Sequence, residues 1–191
     1  MKSKIAIFAS GSGTNAEEII KHFQNHESIS ISLILSNNPK AYVLERALHH
    51  KIPQFVFSRD TFYKEKTVDE VLRLNGINFI VLAGFMWLIP ERFVKNYPSK
   101  IVNIHPALLP KYGGKGMYGS YVHEAVVKNR EKESGITIHW VNEAYDEGNI
   151  IFQTKCKVDP KDNADDVANK VHKLEYEFYP KIIEKVIVEK Q

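Results

Sequence analysis

Asn103–Ile104–His105–Pro106 places an amide and an imidazole two residues apart, after an apolar run and before a proline. On an extended strand, side chains two apart share a face, and proline restricts the turn that follows. An amide can donate to a developing oxyanion and a histidine can carry a proton, the parts an acyl-type transfer needs. Asp146, in the polar turn from Asn142 to Asn149, offers a carboxylate. It is expected either to orient and charge-balance His105, favouring the imidazolium by charge pairing, or to bond its own turn backbone.

An anion site is expected at Ser10–Gly11–Ser12–Gly13–Thr14–Asn15–Ala16. Small residues let the backbone approach an anion, and the N–H groups of a following helix can hold it; the plainer alternative is a tight strand–helix turn. The run satisfies a loose GxGxxA fingerprint, but a dinucleotide site also needs an acid about 20 residues on. Leu33–Ile34–Leu35–Ser36–Asn37–Asn38 has none, nor an arginine for a 2′-phosphate. No Gly–Lys–Ser/Thr follows at P-loop spacing, so a single terminal phosphate fits best.

Phe85, Met86, Trp87 and Leu88 leave an apolar strand for a loop, as a core plug or as the wall of a flat apolar ligand. Lys111–Gly119 is rich in glycine, and its nearness to Asn103 and His105 favours a mobile cover over a disordered connection. His139 alternates with Trp140, so it can line the cleft behind the catalytic candidates. His22, His26, His49 and His50 are read as surface, and His123 and His172 as facing solvent or a helix partner. No cluster has metal-ligand spacing, and no metal is expected. Cys156, the only cysteine, permits no internal disulfide and reads as a half-buried structural thiol.

The elements that must carry these groups alternate. Strands are predicted at Lys4–Ser10, Ile29–Ser36, Gln54–Phe57, Asn78–Ala83, Ile101–Ile104, Gly135–Asn142 and Ile150–Val158. Helices are predicted at Thr14–Phe23, at Ala41–His50, from a cap at Ser58 or Asp60 to Asn75–Gly76, from Pro90 to Lys95, and at Ser120–Asn129. A last helix opens near Asp162 or Asn163, with Val167, Val171, Leu174, Phe178 and Ile182 as its apolar face; Pro180 is expected to kink or split it. Such alternation implies an α/β, doubly wound, mostly parallel sheet covered on both faces. Ala144–Asn149 is too short for a parallel crossover, so the last strand is expected at an antiparallel edge.

The chain has 191 residues, 43% hydrophobic and 26% charged, with formal charge +3. Those values suit one globular domain over 1–191. The charge is mild and spread through mixed-sign runs, which argues against nucleic acid. No apolar run approaches the ~20 residues of a membrane span and no signal-like leader is present; a cytoplasmic, unanchored protein is expected.

Gly11–Asn15, Leu82–Ala83–Gly84–Phe85–Met86, Asn103–Pro110, Asp146 in its Tyr–Asp–Glu–Gly turn, and Glu175 in Leu174–Pro180 together resemble the phosphoribosylglycinamide formyltransferase family across nearly the whole chain. The resemblance implies a Rossmann-like formyltransferase fold and transfer of a formyl group from 10-formyltetrahydrofolate to the amine of glycinamide ribonucleotide in purine biosynthesis. It implies Asn103, His105 and Asp146 as the catalytic set; Gly13, Thr14 and Asn15 at the phosphate; and Glu175 at the ribose or phosphate. It further implies Phe85, Met86, Trp87 and Leu88 around the pterin, Ala144 and Tyr145 at its ring edge, and Arg59 near the folate carboxylate tail. Trp87 stands where some members carry arginine, so tail contacts there are expected to differ. The partners implied are small molecules, with the enzyme a monomer or homodimer. The alternatives are another formyltetrahydrofolate-using enzyme such as a deformylase, or a non-catalytic nucleotide-binding module.

Overall fold

Successive side chains of a strand point to opposite faces. In β1 (Ser3–Phe8), Ile5 and Ile7 therefore enter one apolar cluster while Ala6 and Phe8 enter another. Helices α1 (Thr14–Phe23), α2 (Val43–His49) and α7 (Ala164–Val188) close the first, with Val126 of α6 (Ser120–Lys128). Phe62 of α3 (Arg59–Tyr63), Val68 and Leu72 of α4 (Thr67–Leu74) and Phe93 of α5 (Glu91–Asn96) close the second. A computed structural model describes residues 2–189; Met1, Lys190 and Gln191, included in the expected 1–191 domain, lie outside the described residues.

The remaining strands are β2 (Ile29–Ser36), β3 (Gln54–Val56), β4 (Phe79–Leu82), β5 (Ile101–His105), β6 (Glu133–Trp140) and β7 (Ile150–Lys157). They form one seven-stranded sheet in the order β3-β2-β1-β4-β5-β6-β7. β1 to β5 are parallel, β6 is antiparallel to β5, and β7 is antiparallel to β6. From β1 the chain winds outward through β2 and β3, then returns to β4 on the other side. The loops after β1 and β4 therefore part at their carboxyl ends, the switch point where open α/β sheets bind ligands.

Two sequence expectations need correction, and the sequence leaves the direction of β6 open. β6 is antiparallel although a helix precedes it: His105 pairs with Thr137, so the excursion through α6 leaves and re-enters at the same end of the sheet and is no crossover. The helix expected from Ser58 to Asn75 is two, α3 and α4, because Phe62 and Val68 are six residues apart and cannot share one helical face. Ser58 caps the first with a capping box. The last helix, capped by Asn163, runs unbroken through Pro180. Burial of Tyr179, Pro180 and Ile183 offsets the lost N–H bond. Its most buried stripe steps by four through Val167, Val171, Glu175, Tyr179 and Ile183, leaving Leu174, Phe178 and Ile182 at the margin. Glu175 and Tyr179 occupy that stripe because each finds polar partners there.

Among the described residues, no helix is long and apolar enough to cross a membrane.

Candidate active site

Ser10 clamps the switch point. Its N–H donates to Gly84 O (3.0 Å), its Oγ accepts from the Met86 N–H (3.1 Å) and donates to Asn37 Oδ1 (2.7 Å). Beyond it, Gly11 O accepts from Val43 N and Ser12 O from Arg46 Nε. Gly13 then turns the chain into α1 at φ 71°, where a Cβ would lie 2.5 Å from Val43 Cγ2, so only glycine fits. No side chain caps α1. Its first-turn N–H groups, at the positive end of the helix dipole, are left for an anion.

This turn, the Ala83–Leu88 segment, the end of β5, the 114–119 loop and the 144–146 turn line one cavity of about 550 Å³. Among the described residues, Lys115 is the only lysine or arginine lining it. Phe85, Met86, Trp87 and Leu88 all do. Phe85 also packs edge-on against Phe8 at 5.4 Å, so it is plug and wall at once. Arg59 does not line the cavity; it lies over the Tyr63 and Trp87 rings at 5.2 and 5.6 Å.

Asn103 and His105 share a face of β5, and β6 sets His139 and Thr137 opposite them. Asp146 reaches in from the 142–149 turn, which can pass close over β6 because residue 148 is glycine: a Cβ there would lie 1.6 Å from Trp140 O. Asp146 Oδ2 is 3.4 Å from His105 Nδ1 and accepts from the Gly114 N–H at 3.0 Å. Asn103 Nδ2 lies 3.4 Å from Asp146 Oδ1 and 3.1 Å from His139 Nε2. The other side of His105 meets Tyr112 O at 2.6 Å, so Nε2 carries a hydrogen and donates. The 111–119 loop is thus pinned over the set by one bond to His105 and another to Asp146. Thr137 holds the loop's approach, accepting from Leu109 N and donating to Ala107 O.

Burial, with His105 only 4% exposed, pulls its pKa below the usual imidazole value. The Asp146 charge and the Tyr112 carbonyl oppose this and lose. The pairing expected to favour the imidazolium is therefore outweighed. Burial alone would raise Asp146, but the His139 and His105 rings and the Gly114 N–H hold it below the usual carboxylate range.

At the far end, Asn15 Nδ2 donates to Glu175 Oε2 (3.0 Å), which His172 Nδ1 also meets at 2.9 Å. The Asn15 amide nitrogen is thus committed to α7, while its Oδ1 is buried without a partner. Glu175 raises the His172 pKa through that bond, against the opposing pull of burial. His123 does not face solvent as the first of its two expectations had it. It is 3% exposed, packs against His172 and lines the cavity. Val126, three residues on and buried, is the pattern that marks its face. Thr137 was not singled out in the sequence, and Ser10 only as the first residue of the expected anion run; nothing in their own segments announces partners on other loops. Among the described residues no group of histidines, cysteines and acids could hold a metal. Cys156 is half-buried and burial pushes its thiol up, as a structural thiol requires.

The site joins an open α/β sheet, an uncapped helix N-terminus at the first turn and a polar set at the end of a central strand. Over residues 3–183 the chain fits the family described as formyl transferase, and it belongs to that family. The named relatives narrow the group. The chain is 36% identical to the phosphoribosylglycinamide formyltransferase of Bacillus subtilis, over 96% of this chain and 94% of that one. It is 37% identical to the chloroplastic phosphoribosylglycinamide formyltransferase of Arabidopsis thaliana, over 95% of this chain and 64% of that protein's length. The crystal structure of the Anaplasma phagocytophilum phosphoribosylglycinamide formyltransferase superposes with a TM-score of 0.89 at 34% identity, covering 100% of this chain and 89% of that one.

Proposed function

We propose that this chain transfers the formyl group of 10-formyltetrahydrofolate to the glycinamide amine of glycinamide ribonucleotide, the purine-biosynthetic reaction after which its relatives are named. One observation carries the reading. Asn103, His105 and Asp146 open onto the same cavity as the uncapped α1 N-terminus and the apolar Phe85–Leu88 wall. In this reading the phosphate sits on Gly13, Thr14 and Asn15, and Glu175 takes the ribose. Phe85, Met86, Trp87 and Leu88 enclose the pterin, Ala144 and Tyr145 meet its ring edge, and Arg59 over Trp87 draws the folate tail carboxylate.

The amine attacks the formyl carbon, a C–N bond forms, and the formyl oxygen gains charge. Asn103 turns its amide to that oxygen, exchanging its His139 and Asp146 contacts for it. His105, kept neutral by burial, takes the amine proton. The resulting imidazolium has Asp146 on one side and the Tyr112 carbonyl on the other, so the charge made by the reaction is matched where it appears. As the bond to the folate nitrogen breaks, that proton passes to the departing nitrogen. No covalent enzyme intermediate is needed.

We place the activity in a single formyltransferase domain, in the cytoplasm, as monomer or homodimer, on small molecules alone. The test is folate absorbance with purified chain, 10-formyltetrahydrofolate, and either glycinamide ribonucleotide or water as acceptor. Absorbance change with the amine alone is expected. Change with water alone identifies a deformylase, and ribonucleotide binding without change identifies a binding module.

A further inference from the structure

His123 has no use in the chemistry above, yet α6 buries it to 3% exposure at the ribonucleotide end of the cavity. Its Nδ1 is buried without a partner, and among the described residues none bonds its Nε2 either. Buried polar groups are seldom left so, and each such exception calls for a cause. His123 also lines a smaller adjoining cavity with Gly119 and His172, where no side chain caps the first turn of α6. Its ring stands 6.2 Å from that of His172, centroid to centroid. His172 in turn bonds Glu175, and both Glu175 bonds fall on Oε2, leaving Oε1 open.

We infer that His123 is a substrate-positioning residue that reads a ribose hydroxyl, with Glu175 Oε1 taking the neighbouring one. The inference rests on the proposed function for the identity of the ligand. A neutral imidazole offers one donor and one acceptor, the complement of a hydroxyl, whereas a phosphate dianion offers only acceptors. Neutrality follows from the surroundings: burial first, then the facing His172, lower the His123 pKa, and Glu175 only partly offsets them. The titratable groups that face His123 are His172 and Glu175 on α7 and His105 on β5, none of them a fixed cation, so a phosphate is better served at the α1 turn. The contact fixes the sugar between its phosphate anchor and the reacting amine. It belongs to ribonucleotide binding rather than to formyl chemistry.

The test combines ring ¹⁵N resonances of the full chain with steady-state kinetics. Glycinamide ribonucleotide added without folate is expected to shift the His123 ring signals; a carbocyclic analogue lacking both ring hydroxyls is expected to bind without shifting them. H123A is expected to raise KM for the ribonucleotide about ten- to a hundredfold, with the formyl-folate KM unchanged. H123Q, which keeps a donor and an acceptor, is expected to recover much of that loss. In wild type the analogue is expected to bind more weakly than the substrate by more than that factor, since the Glu175 contact is lost with it, and H123A is expected to weaken it no further. Signals that stay still while the ribonucleotide saturates the protein would overturn the inference. So would an H123A variant that loses thermal stability and kcat but keeps its ribonucleotide KM. If the ring signals move as expected while wild type transfers no formyl group, the hydroxyl contact stands and the proposed function falls.

Discussion

Both nitrogens of His105 face acceptors, yet only one hydrogen is available in the neutral ring, because burial costs more than Asp146 and the Tyr112 carbonyl return. That imbalance holds a base in readiness and rewards protonation once a proton is offered. It also sets a sign. Asp146 is one of the groups raising the His105 pKa, so Asp146→Asn is expected to move the His105 NMR titration further below the ordinary value of about 6.5. An unmoved or raised titration would show that the two are uncoupled. Asn103→Ala should lower kcat by roughly 10²–10³-fold, the usual effect of losing an oxyanion donor. Ribonucleotide affinity, measured by calorimetry, should stay nearly unchanged; an equal loss in both would mean Asn103 acts on binding. The spacing of Asn103 and His105 on one strand face was legible in the sequence. That Asp146, on a different turn, meets them was one of two readings of its turn and was implied by the resemblance; periodicity could not choose, since it says nothing about contacts between loops.

Two side chains on different elements separate holding the sheet together from holding the site. Tyr179 on α7 donates to Leu82 O at 2.8 Å and lies 3.2 Å from Val102 O, pinning β4 and β5 beside Asn103. Thr137 on β6 instead secures the loop leading to Tyr112. Tyr179→Phe and Thr137→Val should each cost about 1–3 kcal/mol in denaturant unfolding, because buried carbonyl or N–H groups lose their partner. Only Thr137→Val should also depress kcat, since it frees the loop whose carbonyl meets His105; equal kcat losses would deny that division. Periodicity and capping made α1, β2 and the Asn163 start of α7 legible. The direction of β6 was not, because a helix between strands reads as a crossover whether or not it travels the length of the sheet. The polar members of the α7 stripe were hidden for a related reason: Glu175 is buried by partners 160 residues away on α1 as well as on its own helix.

The two halves of the sheet are joined not only at β1 and β4 but by α1, which the long C-terminal helix clasps through Glu184, bonded to His22 and facing His26. Those contacts hold Glu184 below the usual carboxylate range, the His22 bond first, and bonds to His50 and Arg46 outweigh burial to do the same for Glu17. Lowered carboxylates stabilise the fold above their unfolded values and lose that contribution as pH falls through the folded ones. Buried neutral His105 acts in the same direction at higher pH, its contribution being lost as pH falls below the unfolded imidazole value. The thermal midpoint should therefore begin to fall below about pH 6.5 and fall more steeply below about 4.5; a midpoint that rises on acidification would contradict this.

A co-crystal structure with glycinamide ribonucleotide and a non-transferring formyl-folate analogue measures the central geometry directly. The account predicts the amine within about 3–3.5 Å of the formyl carbon, His105 and Asn103 in hydrogen-bond reach of the reacting atoms, and the phosphate on the α1 turn. A phosphate bound elsewhere, or a formyl carbon remote from His105, would contradict it.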